Sequence, residues 1–166
     1  MKIFAWQALR AMQQPAANEI RSALLHALQR GTSVVLATVS DDGMPSTAFC
    51  SWVVAANPDT IALALDSRST AHRNIAAGNG QVALEVLADD MILSVRGEAR
   101  IVKEQLRSVP FPCALVTVSI ADVRDHGVGG VIFKAPQYLF ADGKEHRGEV
   151  ERAIFEELAQ HDKTRT

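Results

Sequence analysis

The apolar positions switch from helical spacing to strand spacing near Ser33 and return to helical spacing near Glu149. Before the first switch, Ile3, Phe4, Trp6, Leu9 and Met12 suggest a short helix ended by Pro15. Asn18 then stands as N-cap to a better helix, with Ile20, Leu24, Leu25 and Leu28 on one face and Gly31 as its stop. From Ser33 onward the chain becomes short apolar runs bounded by turn residues, which predicts strands at 34–39, 46–55, 61–65, 82–87, 92–102 and 114–120. Asp42-Gly43 suits a hairpin turn, and Pro45 opens the second strand, where its missing amide costs least. Gly97 interrupts the longest strand and marks a bulge or a close backbone approach. A short helical pattern, entered through Asp66-Ser67-Arg68-Ser69-Thr70 and stopped at Gly78, separates the third and fourth strands, and 149–160 forms a last amphipathic helix on Val150, Ile154 and Leu158. Six strands joined mostly by tight turns, with flanking helices, predict a mainly β protein: one domain over 1–166, an antiparallel barrel with its core at about 33–140, N-terminal helices within 3–30 and a C-terminal helix at 149–160.

The charge at the start of the middle helix departs from the usual rule. Helices place acids in the first turn to meet the positive end of the dipole, and this chain does so at Glu19 and again at Glu149 and Glu151. From Ser67 to Arg73 there is no acid, and Arg68, His72 and Arg73 supply base instead. Any of Ser67, Ser69 or Thr70 can cap that helix. Free amides, hydroxyls and arginines at one helix start suit an external anion, above all phosphate. The same residues also fit a solvated connecting turn with ordinary serine caps.

Composition narrows the classes. The chain is 48% hydrophobic and 22% charged with a net charge of −2, as in an ordinary globular protein, and carries no signature of nucleic-acid or acidic-membrane binding. Cys50 and Cys113 lack metal-ligand spacing, which leaves two reduced thiols and a cytoplasmic expectation. Gln7 and Arg10 interrupt what would be the apolar core of a signal peptide, and no run approaches the roughly twenty apolar residues of a membrane span. Gly78-Asn79-Gly80-Gln81-Val82-Ala83 spells a dinucleotide fingerprint, but it follows a helix and precedes a strand, the reverse of what the mechanism needs. The five histidines show no paired zinc spacing, and no Ser-centred nucleophile elbow occurs. The Gly-rich stretch from Gly127 to Gly130 reads as a loop.

Taken together, LATVSDDGMPSTAFCSWVV, IALALDSRSTAHRNIAAGNGQVALEV and ILSVRGEARIV resemble the FMN-binding split-barrel family of pyridoxamine 5′-phosphate oxidase-like proteins, over about residues 33–122. The resemblance lies in an ordered series: strand, acidic-Gly-x-Pro turn, strand, a strand ending in a Ser/Thr-basic-x-Asn helix, then a V-x-G-x-A strand. It implies a six-stranded split β-barrel, a homodimer holding FMN at the subunit interface, and a small-molecule substrate. Ser69, Thr70, Arg73 and Asn74 fall where the family grips the FMN phosphate. Phe49, Cys50, Ser51 and Trp52 fall along the isoalloxazine ring, and Leu65, Asp66 and Ser67 beside the ribityl chain. The chain departs from the oxidases where Ser69-Thr70-Ala71 replaces a serine followed by two basic residues, so the grip leans on Arg73 and Arg68. The oxidases' C-terminal Trp and Arg-rich substrate signature is missing, which argues against pyridoxine phosphate oxidation. The expectation is an FMN-dependent oxidoreductase with no general acid or base identified. Relatives that bind deazaflavin or haem make those the alternative cofactors, with His126, His146 or His161 as a haem ligand, and a cofactor-free dimeric binding or sensor module is the third possibility.

Overall fold

The computed structural model describes residues 17–29, 32–78 and 80–160; the helix expected over 3–12 and the stop at Gly31 lie outside them. The first described helix, α1 (Ala17–Leu28), starts one residue before the expected Asn18 cap and buries Leu24, Ala27 and Leu28. Arg21 ties it to the sheet through a 2.7 Å ion pair with Asp59. Strands β1 (Val34–Val39) and β2 (Pro45–Cys50) make the first hairpin, in which Gly43 adopts φ 82° and donates its amide to the Ser40 carbonyl at 2.9 Å.

The second expected strand is two. The ladder with β1 ends at Val34↔Cys50; after Ser51 and Trp52 the chain resumes as β3 (Val53–Asn57), which pairs instead with β4 (Thr60–Leu65). Helix α2 (Thr70–Ala77) follows, then β5 (Gln81–Ala88), β6 (Met91–Lys103), β7 (Ala114–Asp125) and α3 (Arg147–Gln160). The result is one antiparallel sheet of seven strands in the order β2-β1-β5-β6-β7-β4-β3, not six. Its two edge strands are consecutive in the chain, so the sheet curls until two residues bridge its ends. That is the split-barrel form: one stretch of chain supplies both edges, each as a short strand of six or five residues.

Two further boundaries differ from the sequence pattern. β7 continues five residues past Ile120, because β6 is long enough to pair with it as far as Leu93↔Asp125 and because Asp122 takes ion pairs from Arg96 at 3.1 Å and Arg124 at 2.7 Å. α3 begins at Arg147, two residues before Glu149. The core is divided by β4. Ile61, Leu63 and Leu65 face the barrel interior with residues such as Leu36, Leu84, Val95 and Val116, while Ala62 and Ala64 face outward onto Ile154 and Leu158 of α3. A strand covered on both sides reads as a continuous apolar run, which is how it stands in the sequence.

Gly97 is where β6 and β7 come closest. The ladder jumps from Arg96↔Asp122 to Gly97↔Ile120, leaving Ala121 as the extra residue, and a Cβ on Gly97 would lie 2.2 Å from the Ser119 carbonyl oxygen. Backbone cannot yield there as a flexible side chain would. Gly97→Ala is expected to destabilise the protein by about 3 kcal/mol in urea titration or to prevent folding. Gly129→Ala, in open space, is expected to stay within about 0.5 kcal/mol of the parent.

Candidate functional site

The break at Ser51-Trp52 and the start of α2 lie side by side. The β3–β4 ladder reaches Val53↔Leu63, and the Ala64 amide still bonds the Trp52 carbonyl at 3.0 Å, which brings Leu65 and Asp66 alongside the break. α2 then crosses the same end of the barrel. Ala71 and Ile75 bury into the interior, and Asn74 Nδ2 donates to Thr38 Oγ1 of β1 at 3.0 Å.

Of the three candidate caps, Ser69 serves: with extended φ −69° and ψ 156°, its hydroxyl accepts from the His72 amide at 3.1 Å. No acid occupies the first turn. The two arginines differ in kind. Arg68 is cancelled by Asp66, its Nε and Nη2 donating to the two carboxylate oxygens at 3.0 and 2.7 Å, with the Arg68 amide adding a third bond at 2.8 Å. Those side-chain and amide bonds lower the Asp66 pKa to about 2. Arg73 keeps its charge: it donates to the Arg68 carbonyl at 2.7 Å and to Thr70 Oγ1 at 2.9 Å, neither of them a carboxylate. Ser67 is turned aside, donating to the Glu104 carbonyl at 3.3 Å. The His72 Nε2 is buried without a hydrogen bond, 3.5 Å from Glu104 Oε2.

On the outer side of the break, a cleft of about 620 Å³ opens. Phe49, Ser51 and Trp52 form one wall, and Trp52 stacks on Phe111 with centroids 6.2 Å apart. Leu65 and Cys50 point instead to the interior, and burial pushes the Cys50 thiol up to about 11, so it is an inert core group. None of Leu65, Asp66, Ser67, Ser69, Thr70, Arg73 or Asn74 lines the cleft.

Apart from His146, considered above as a haem ligand, the opposite wall comes from residues to which the sequence pattern assigned no site role. The irregular stretch after β7 is fastened to the β5–β6 turn, where the Asp90 amide meets the Phe133 carbonyl at 2.9 Å and the Ala135 amide meets Asp89 Oδ1 at 3.1 Å. It then brings Tyr138 and Phe140 to the cleft, beside Lys144, His146, Arg147 and Glu151 at the start of α3. The Tyr138 hydroxyl bonds Glu151, and burial followed by that carboxylate raises the Tyr138 pKa. Two aromatic residues, Tyr138 and Phe140, followed by the basic Lys144, His146 and Arg147 were the available signal. Of the histidines considered as metal or haem ligands, His126 bonds Glu85 at 2.8 Å, His146 lines the cleft, and His161 lies outside the described residues. Among the described residues no group of His, Cys, Asp and Glu could hold a metal ion, and no helix is long and apolar enough to cross a membrane.

A family model for pyridoxamine 5′-phosphate oxidase matches residues 20–127, which spans the sheet, α2 and the strand break. The chain belongs to the pyridoxamine 5′-phosphate oxidase-like family. Among solved structures, the split-barrel fold is shared with an FMN-binding protein from Syntrophomonas wolfei subsp. wolfei, at 16% identity over 76% of this chain and 97% of that one, with a TM-score of 0.57. It is shared with HupZ from Group A Streptococcus at 13% identity, over 69% of this chain and 98% of the other, with a TM-score of 0.55. It is also shared with HutZ, the haem storage protein of Vibrio cholerae, at 14% identity, over 64% and 94%, with a TM-score of 0.52. At these identities the likeness is one of fold. No curated protein matches the chain.

The basic wall of the cleft is held in place from behind. Glu157 of α3, 13% exposed, accepts from Lys103 Nζ at 2.7 Å and from the amides of Arg107 and Ser108 at 3.1 and 2.8 Å. Burial alone would raise its pKa, but these bonds outweigh it and bring the carboxyl down to about 2. A depressed folded pKa adds stability that is complete above the ordinary carboxylate range and fades as pH falls towards about 2. Glu157→Ala is expected to cost about 2 kcal/mol at pH 7 by urea titration, mostly through the two stranded amides since the Lys103 side chain is 36% exposed and can be solvated. The difference from the parent should narrow steadily below about pH 4.5.

Proposed function

We propose that this protein is an FMN-binding oxidoreductase acting on a small molecule, as a homodimer. The observation that carries the proposal is Arg73, a cation fixed by a carbonyl and a hydroxyl at a helix start that lacks any acid. A donor set of one uncancelled guanidinium, the Thr70 hydroxyl and the amides of the first turn fits a phosphate dianion. The fit is narrower than the sequence pattern suggested, because Arg68 is spent on Asp66 and Ser67 on Glu104. The break at Phe49–Trp52, with strand amides released from the ladder, is where the ring's polar edge would be met. When bound, FMN supplies hydride or electron transfer; the chain supplies orientation, charge balance at the phosphate and exclusion of water by the barrel end. A second copy is supported by apolar side chains left in solvent, among them Ile132 at 78% and Leu139 at 94% exposure.

A haem protein is the second reading, favoured by His146 standing at an aromatic-walled cleft. The absorption spectrum of the purified protein separates the two, since flavin and haem bands do not overlap in shape. In FMN titrations followed by flavin fluorescence, Arg73→Ala is expected to weaken binding at least tenfold, while riboflavin, without the phosphate, is unaffected. Arg68→Ala should change FMN affinity less than about twofold, because its charge is already cancelled. A colourless protein that ignores added FMN would remove the proposal.

A further inference from the structure

The α2 start offers one uncancelled cation, Arg73, to an anion that carries two charges as a phosphate dianion. A second charge is within reach. His72 is the third residue of the helix, the place where a capping pair would put Glu or Gln. Its side chain is 12% exposed, and its Nε2 is buried without a hydrogen bond. An unpaired buried nitrogen costs stability. This one lies 3.5 Å from Oε2 of Glu104, a side chain 78% exposed and so free to move. A proton on the ring turns that gap into a charge-assisted bond. The Glu104 backbone is meanwhile tied to the same turn, its carbonyl taking the Ser67 hydroxyl.

The other charged groups about the ring are accounted for. Arg68 is paired with Asp66, and Arg73 is held by the Arg68 carbonyl and Thr70. Of the strands packed against α2, β1 carries no charged residue and β2 only the buried Cys50 thiol. On β6, Arg96, Glu98, Arg100 and Lys103 each have an ion pair of their own. Glu104 is therefore the carboxylate left to answer His72. A charge on the ring also reaches the seat: behind the Arg68 bonds, His72 is among the groups that lower the Asp66 pKa.

We propose that His72 is a proton-linked positioning residue of the anion seat, taking up a proton when a dianion binds at the α2 start, with Glu104 as its counter-ion. In the free protein a proton there is opposed by Arg73 and by the positive end of the helix dipole. A bound dianion reverses that balance, because a nearby negative charge favours the charged ring. Linkage fixes the sign: an anion that favours the protonated ring is itself bound more tightly as pH falls through the range where histidines titrate. The identity of that anion as the flavin's phosphate rests on the function proposed above; the proton linkage of the seat does not.

Calorimetric titration of FMN into the full-length protein, at a series of pH values, tests this. Between about pH 8 and about pH 6 the ratio of parent affinity to His72→Gln affinity should grow at least about fivefold, within the tenfold per pH unit that one linked proton allows. The phosphate's own proton is common to parent and variant and leaves the ratio alone. Glu104→Gln removes a carboxylate that stands in solvent, keeps the backbone contact to Ser67, and should lose most of the same gain. Sulfate, which binds no proton in this range, gives an arm free of FMN and decides the matter where FMN does not bind. The rise in melting temperature that it produces should be larger at about pH 6 than at about pH 8 in the parent, and equal at the two in both variants. FMN binding whose parent-to-variant ratio stays within about twofold across the range would overturn the proposal and leave the flavin standing. A pH-dependent sulfate effect lost in His72→Gln, in a protein that takes up no FMN, would support the proton-linked seat and sink the flavin instead. A parent that responds to neither ligand would overturn both.

Discussion

One stretch of chain supplies both edge strands of the sheet, and the architecture follows from how it passes from one to the other. Residues 45–50 pair with β1 and residues 53–57 with β4, so Ser51 and Trp52 must leave the ladder between them. The break carries the chain from one edge of the sheet to the other, and each edge strand keeps one ladder partner. It also exposes backbone that a continuous strand would have used. The candidate site is thus a consequence of closure. Phe49 and Ser51 face outward because Cys50 faces the core, and Leu65 arrives beside them because β4 is the strand that receives the second half.

Charge at the α2 start carries a second lesson. The sequence shows two arginines and a histidine with no acid in the helix's first turn, but it cannot show that Asp66, two residues before Arg68, folds back onto it. Local ion pairs of this kind depend on a turn that spacing alone does not specify. The net result is one available guanidinium, Arg73, held against a carbonyl and a hydroxyl that limit its motion without cancelling its charge. An anion arriving there meets a cation whose ordering cost has largely been met by the fold.

The features legible in the sequence were those written in local patterns. The hairpin at Gly43, the stop at Gly78 and the close approach at Gly97 each follow from one or two residues whose backbone demands are strong, while the cap was narrowed only to Ser67, Ser69 or Thr70. The helix face of α3 was legible too, since Ile154 and Leu158 bury where their spacing puts them. What escaped was set by partners distant in sequence. Nothing in residues 46–55 reveals that the two halves pair with different strands, because the apolar run from Ala48 to Ala55, interrupted only by Ser51, continues across the break. The charged end of β7 reads as a loop until β6 is seen to be long enough to pair with it. Tyr138, Lys144 and Arg147 carry no periodic signal, being in coil or at a helix start, and matter only because the coil is fastened back across Asp89 and Asp90.

The position of α3 depends on small residues more than on large ones. Ala62 and Ala64 on the outer face of β4 let Ile154 and Leu158 approach closely, and a larger side chain at either place would lift the helix. Glu157 fixes its rotation by gripping the amides of the β6–β7 connector, while Tyr138 and Glu151 tie the preceding coil to its first turns. These fastenings lie along one face of the helix and spread over its length, from Glu151 to Leu158, so they hold its start, with the basic wall of the cleft, as well as its end. A cleft kept open by three such attachments is built into the folded state, and a ligand entering it has little rearrangement to drive. The same rigidity makes charge, rather than shape change, the property by which that wall can select what enters.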